Sequence, residues 1–198
     1  MNIAEIANQL EHFGYIVLAQ PLDNALLTDL FARCHEDEPG RFHAAHIGRG
    51  ATKKQIDSIR GDVINWLSAA HPADQAYLNW MEALRLSLNE TLYLGLFEYE
   101  CHYAIYNSGN GYAKHLDVLT GRKNRILSTV LYLNQNWQAG DGGELVLYQS
   151  TGENVIIKIN PTFGTMVLFL SDAFPHEVLI SHKTRRSVAG WFRVSGNH

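Results

Sequence analysis

Apolar positions recur at helical spacing in the first half of the chain and at every second residue in the second half. Ile3, Ile6, Ala7 and Leu10 fall on one helical face over residues 3 to 12. Leu26, Leu27, Leu30, Phe31 and Cys34 repeat the pattern over 23 to 35, with Asp23 placed to cap the first turn. Between these segments Tyr15-Ile16-Val17-Leu18 is a short apolar run of strand type. The spacing predicts a third helix from about Ala73 to Tyr93, opening after Pro72, with Leu78, Met81, Leu84, Leu88 and Leu92 on its buried side. From residue 96 the period becomes two. Strands are expected near 97 to 106, 112 to 118, 125 to 134, 143 to 149, 154 to 159, 165 to 170, 176 to 181 and 186 to 194.

About eight strands divided by Gly, Asn and Asp turns predict a mainly β fold with N-terminal helices (α+β). The core is expected to be a double-stranded β-helix, the cupin-like jelly roll, supported by about three helices. Residues 1–198 read as a single domain, with helical support and a lid over about 1–95 and the jelly-roll core over about 96–194. No repeat, low-complexity tract or Pro/Ser linker divides them.

Composition narrows the partners. A chain of 198 residues that is 46% hydrophobic can bury a full core. The net charge of −4 and the pI near 6.2 give no basic footprint, which argues against nucleic acid. No window reaches the roughly 18 apolar residues of a membrane span, and the N-terminus lacks the basic-then-apolar order of a signal peptide. Cys34 and Cys101 form no disulfide framework and no Cys-x-x-Cys motif, so a reduced, cytoplasmic setting is the simplest reading.

Chemistry concentrates at Tyr112-Ala113-Lys114-His115-Leu116-Asp117. On a strand His115 and Asp117 leave from the same face, so both can reach one metal ion. A second His-x-acid run, His35-Glu36-Asp37, ends a helical pattern, where residues two apart do not face each other. Phe174-Pro175-His176-Glu177-Val178 supplies a third ligand, 59 residues after Asp117, and Arg185 follows nine residues later. Two His and one carboxylate with open positions form the facial triad of non-haem Fe(II) oxygenases. Many of these use 2-oxoglutarate, whose distal carboxylate needs a fixed cation, ideally a guanidinium fork. Strand parity favours Arg185 for that role, since Ser187, Ala189 and Trp191 share its face and the small residues leave room for a dicarboxylate. Arg186, with Val188, Gly190 and Phe192, is expected to be an outer arginine, solvated or ion-paired. On the strand near 125 to 134, Ser128, Val130 and Tyr132 alternate with Leu127, Thr129 and Leu131, and composition allows either set to point inward.

The sequence resembles the prolyl 4-hydroxylase branch of the Fe(II)/2-oxoglutarate dioxygenases, in particular the prolyl hydroxylases of hypoxia-inducible factor and their bacterial relatives. The resemblance rests on Ile59-Arg60-Gly61-Asp62…Trp66, on Tyr106…Gly109-Asn110-Gly111-Tyr112…His115-x-Asp117, and on Tyr132-Leu133-Asn134…Trp137…Gly142-Gly143-Glu144-Leu145, and it spans roughly residues 12 to 193. It implies His115, Asp117 and His176 as iron ligands and Arg185 as the clamp for the distal carboxylate of 2-oxoglutarate. It further implies hydrogen bonds to that cosubstrate from Tyr106 and Tyr132, so that Tyr132 points inward, and walls made by Leu145 and Trp191. Arg60, Asp62 and Tyr112 would contact substrate at the mouth, with Arg60 and Asp62 otherwise a surface ion pair worth little. The segment between Tyr106 and His115 is one residue shorter than in the animal enzymes, and the C-terminal helix those enzymes place beside their substrate has no counterpart after Arg193.

The activity implied is hydroxylation of a prolyl residue in a protein with Fe(II), 2-oxoglutarate and O2, releasing succinate and CO2, with ascorbate (vitamin C) as the reductant. Bacterial members that this chain resembles act on a proline of the translation GTPase elongation factor Tu, which makes that protein the first candidate partner. Glu38 to Ser58 is a polar stretch longer than an ordinary connection, and it is expected to fold over a peptide as a lid. Two other functions suit the same residues: a 2-oxoglutarate dioxygenase for a free amino acid or other small molecule, and a non-enzymatic cupin-like metal binder or iron and oxygen sensor. The last has no use for Arg185 beside Ser187 and Ala189.

Overall fold

The structure, a computed structural model, describes residues 2–35, 40–45, 60–118, 124–151 and 153–195. Of the expected lid, 38 to 58, only residues 40–45 are described; the rest lies outside the described residues. Among the described residues three helices form where the apolar spacing places them: α1 (Ile3–Phe13), α2 (Asn24–His35) and α3 (Pro72–Leu92). Each has a side chain at its start that satisfies an unpaired amide. Asn2 accepts from Glu5 N, Asp23 accepts from Leu26 N at 2.8 Å, and the His71 ring accepts from Ala73 N just ahead of Pro72. Gly14 ends α1 in the left-handed region at φ 76°, and an added Cβ would meet the Phe174 ring at 2.9 Å.

Among the described residues eleven strands follow or intervene: β1 (Tyr15–Leu18), β2 (His43–Ala44), β3 (Asp62–Trp66), β4 (Glu98–Tyr106), β5 (Tyr112–His115), β6 (Arg125–Tyr132), β7 (Leu145–Tyr148), β8 (Val155–Ile159), β9 (Met166–Leu170), β10 (His176–Val178) and β11 (Arg185–Arg193). They make two antiparallel sheets, one ordered β1-β9-β6-β11-β4-β3-β2 and one ordered β5-β10-β7-β8. Strands β4 to β11 are the expected roll, and β1 to β3 widen its larger sheet.

The two faces of the larger sheet bury different partners. On one side Leu127, Leu131, Leu168, Val188 and Phe192 pack against Leu10, Leu27, Tyr77, Met81, Leu84 and Leu88 of the helices. Leu84 and Leu88 are fully buried there, so truncating either to Ala would cost about 2–5 kcal/mol. The other face looks toward the smaller sheet, with Tyr132, Val167 and Phe169 against Leu145, Leu147 and Ile159.

Several boundaries differ from the pattern-based expectation for local reasons. Tyr77, not Leu78, is the deepest residue of its turn of α3. β5 stops at His115 and β10 at Val178, shorter than expected; beyond β10 the chain pairs with loops instead, Gly143 N bonding Ile180 O and Ser181 N bonding Asn110 O. β3 was not expected as a strand. Asp62 occupies one of its buried positions, and a charged residue on the inner side hides the alternation. Arg186 is not an outer arginine. The face opposite Arg185 is covered by helices rather than water, and the half-buried Arg186 side chain makes no salt bridge among the described residues.

Candidate active site

Strand parity delivers the site. Along β11, Arg185, Ser187, Ala189 and Trp191 face away from the helices, and antiparallel pairing sets them beside Tyr106, Ala104, His102 and Glu100 of β4. β6 contributes Ser128, Val130 and Tyr132 to the same face, and β3 contributes Asp62, Ile64 and Trp66. Between this face and β5, β7 and β10 lies a cavity of about 480 Å³, in the size range of small-molecule sites. Among the described residues no helix is long and apolar enough to cross a membrane.

His115 ends β5, Asp117 lies two residues beyond it, and His176 opens β10 directly opposite His115. One ligand atom from each lies within 4.8 Å of the others. His115 Nε2 is 3.7 Å from Asp117 Oδ1, and His176 Nε2 is 3.6 Å from Asp117 Oδ2. Both imidazoles are held by their other nitrogen: His115 Nδ1 donates to Ala113 O at 2.8 Å and His176 Nδ1 to Phe174 O at 3.0 Å. Those donations fix the tautomer that leaves Nε2 as the free lone pair. Burial, with His176 alongside, pushes His115 down to about 4, so it is neutral near pH 7. Burial works to raise Asp117, but the two imidazoles and the Ser128 hydroxyl outweigh it and hold the carboxyl below its ordinary range. Neutral imidazole and ionised carboxylate are the states a divalent metal requires, so the donor set fits ferrous iron.

Two outer supports were not legible as site residues. Ser128 Oγ donates to Asp117 Oδ2 at 2.6 Å and lies 2.9 Å from Ser171 Oγ. Arg125 lies 3.7 Å over the Trp191 ring, pairs with Glu100 at 2.9 Å and reaches the Asp117 carbonyl at 3.4 Å. Strand parity could have found Ser128, whereas Arg125 precedes a hydrophobic run and reads as an ordinary strand-end cation.

At the other end of the cavity Arg185 is 2% exposed and makes no ion pair among the described residues. Its Nε donates to Gly143 O at 2.8 Å and its Nη1 to Ser187 Oγ at 3.3 Å. Gly143 must lack a side chain there, because a Cβ would approach Arg185 Cδ to 3.0 Å and φ is 70°. The guanidinium carbon lies 5.2 Å from the Tyr106 ring centre and 5.1 Å from that of Tyr132. Burial raises the Tyr132 hydroxyl to about 12 and raises Tyr106 strongly, so both are neutral donors. Tyr132 Oη is buried without a hydrogen-bond partner. A desolvated cation and an unmatched hydroxyl together suit an anionic oxygen-rich ligand. Leu145 and Trp191 line the same cavity.

Arg60 and Asp62 are also brought to the cavity, but not as a surface pair. Asp62 is 3% exposed and receives Arg60 Nε at 2.7 Å and Nη2 at 3.0 Å. The sheet covers the pair because Asp62 sits opposite Tyr106 in the β3–β4 ladder. Arg60 lies over the Tyr112 ring at 5.0 Å, and Tyr112 stacks on His115 at 3.7 Å. The pair therefore braces an iron-ligand candidate through one aromatic ring. The thiols of Cys34 and Cys101 are free, buried and raised by burial, which makes them poor nucleophiles.

Comparison with known proteins agrees with this geometry. Residues 101–193 match the model of the 2OG-Fe(II) oxygenase superfamily. The chain is 36% identical to a Pseudomonas putida prolyl-4-hydroxylase over 98% of its own length and 100% of that chain, with a TM-score of 0.87. It is 27% identical to a Trichoplax adhaerens prolyl hydroxylase in complex with a hypoxia-inducible-factor oxygen degradation domain peptide, covering 96% of this chain and 88% of that one at TM-score 0.80. Prolyl hydroxylase EGLN3 of Mus musculus is 30% identical over 151 residues, 72% of this chain. The match spans 61% of that relative's length.

Proposed function

Since the chain belongs to the 2OG-Fe(II) oxygenase superfamily, in the branch of the prolyl hydroxylases, we propose that it hydroxylates a prolyl residue of a protein substrate. The observation that carries this reading is Arg185, buried without a carboxylate among the described residues and lining the same cavity as the His-Asp-His cluster. When bound, Fe(II) and 2-oxoglutarate supply the oxidation of an unactivated C–H bond by O2, with release of succinate and CO2.

The residues of the chain then divide the remaining work. His115, Asp117 and His176 would hold the metal. Arg185 offers a forked cation to the distal carboxylate of 2-oxoglutarate, and the hydroxyls of Tyr132 and Tyr106 donate to the same molecule. Leu145 and Trp191 exclude water, which strengthens each of these charge-assisted bonds. Arg60, Asp62 and Tyr112 flank the substrate's approach and keep the His115 ring from rotating. No group is required to hold or move a proton. That suits a cavity whose Tyr hydroxyls burial keeps protonated near neutral pH. Ascorbate is the reductant for side cycles, the setting is cytoplasmic, and elongation factor Tu is the first protein to test.

Aerobic incubation with Fe(II) and 2-oxoglutarate is expected to yield succinate. Intact-mass analysis of elongation factor Tu added to the reaction should show gain of one oxygen, mapped to a proline by peptide sequencing. Absence of succinate would refute the oxygenase reading, while succinate with oxygen gain only on a small molecule would refute the protein-substrate reading.

A further inference from the structure

His102 is a buried imidazole that neither metal binding nor 2-oxoglutarate binding uses. It faces the cavity from β4, paired across the sheet with Ala189 on one side and Trp66 on the other. Its ring stands between two indoles, 5.1 Å from Trp66 and 5.6 Å from Trp191. Trp66 is 45% exposed, so this aromatic row runs from the surface to the wall of the metal site. Nδ1 is 3.0 Å from Tyr103 O and must carry the proton that this contact needs. Burial, reinforced by the Arg60 charge, lowers the ring to about 4 and keeps it neutral. Nε2 is therefore an acceptor, and it has no hydrogen bond among the described residues. An acceptor without a protein donor, on a side chain that lines the cavity, is free to take a hydrogen bond from a ligand there.

We propose that His102 is a specificity-determining residue whose Nε2 accepts a hydrogen bond from a backbone N–H of the polypeptide substrate. The inference rests on the prolyl-hydroxylase reading and deepens it. Proline has no N–H, so the donor belongs to a residue flanking the target, and the indoles of Trp66 and Trp191 take the apolar surface on either side of that amide.

The test uses a degenerate heptapeptide library with a fixed central proline, incubated with the Fe(II)-loaded protein and 2-oxoglutarate and read by one-oxygen mass gain. For a peptide hit, His102→Phe should raise the peptide KM about tenfold with kcat little changed, and His102→Gln, which restores an acceptor, should recover most of the loss. N-methylating the flanking amides one at a time should cost the native protein about tenfold at one position and cost His102→Phe nothing there. An unchanged peptide KM in His102→Phe, or His102→Gln as impaired as His102→Phe, would overturn the proposal. So would a parallel rise in the 2-oxoglutarate KM, which would mark a structural role. Succinate formation without hydroxylation of any library member would instead remove the prolyl-hydroxylase reading itself, and the proposal with it.

Discussion

Arg185→Lys keeps the charge at the floor of the cavity and changes little else, which makes it the sharpest probe of how 2-oxoglutarate is held. The native guanidinium is oriented by Nε–H to Gly143 O at 2.8 Å and by Nη1–H to Ser187 Oγ at 3.3 Å, leaving its remaining N–H groups for the cavity. An ammonium retains the Coulomb attraction but cannot be steered by Gly143 while presenting two parallel donors to a carboxylate. One charge-assisted bond is therefore lost in a dry site. That loss is worth about 1.5–3 kcal/mol, or roughly ten- to a hundredfold in the apparent affinity for 2-oxoglutarate. Arg186→Lys, on the helix-covered face of the same strand, should shift it less than about threefold. Succinate formation measured against 2-oxoglutarate concentration reads both variants, with thermal melts to confirm that each is folded. Equal curves for Arg185→Lys and the native protein, or damage confined to Arg186→Lys, would refute the assignment of the anchor.

Ser128→Ala removes the hydroxyl that steadies Asp117 Oδ2 and should weaken Mn(II) or Fe(II) affinity about ten- to a hundredfold; an unchanged dissociation constant by equilibrium dialysis would count against that support. Asp62→Asn leaves Arg60 largely buried with no compensating charge and should cost about 3 kcal/mol, read as a lower urea midpoint at constant slope. His102 is lowered to about 4 in the folded state against about 6.5 when unfolded. The unfolded chain thus binds the extra proton first, and stability is full above pH 6.5 and declines as pH falls toward 4, by roughly 3 kcal/mol at most. His102→Phe should flatten that part of the urea-midpoint profile, and an equally steep profile would exclude His102 as its source.

Most of the framework was legible because it follows from periodicity. The switch from a spacing of three and four to a spacing of two located the helices and the eight strands of the roll, and parity on β11 placed Arg185, Ser187, Ala189 and Trp191 on one face before any geometry was available. What escaped was chemistry on the buried side of a strand. β3 alternates Asp62, Ile64 and Trp66 inward, and an acidic residue there imitates a loop. His102 was hidden for a related reason: a polar residue in a β-rich run looks like the solvated face until the neighbouring strands reveal which face is covered. The depth of the Arg60–Asp62 pair also depends on β4 lying across it, a long-range contact that spacing does not encode.

The two halves of the site rest on strands of very different anchorage. β11, which carries Arg185, is laddered to β4 along its whole length and to β6 over Ser187–Arg193, so its amides can exchange with solvent only when the large sheet comes apart. β5, which ends in His115, lies at the edge of the smaller sheet, held by two pairings to β10 and a single bridge from Arg60 to Tyr112. Amide exchange there proceeds by local opening, orders of magnitude sooner. The molecule thus keeps the strand that carries Arg185 assembled while the rim that presents His115 breathes. On the proposed ligand assignment, adding Fe(II) or Mn(II) should protect the amides of β5 while leaving those of β11 untouched.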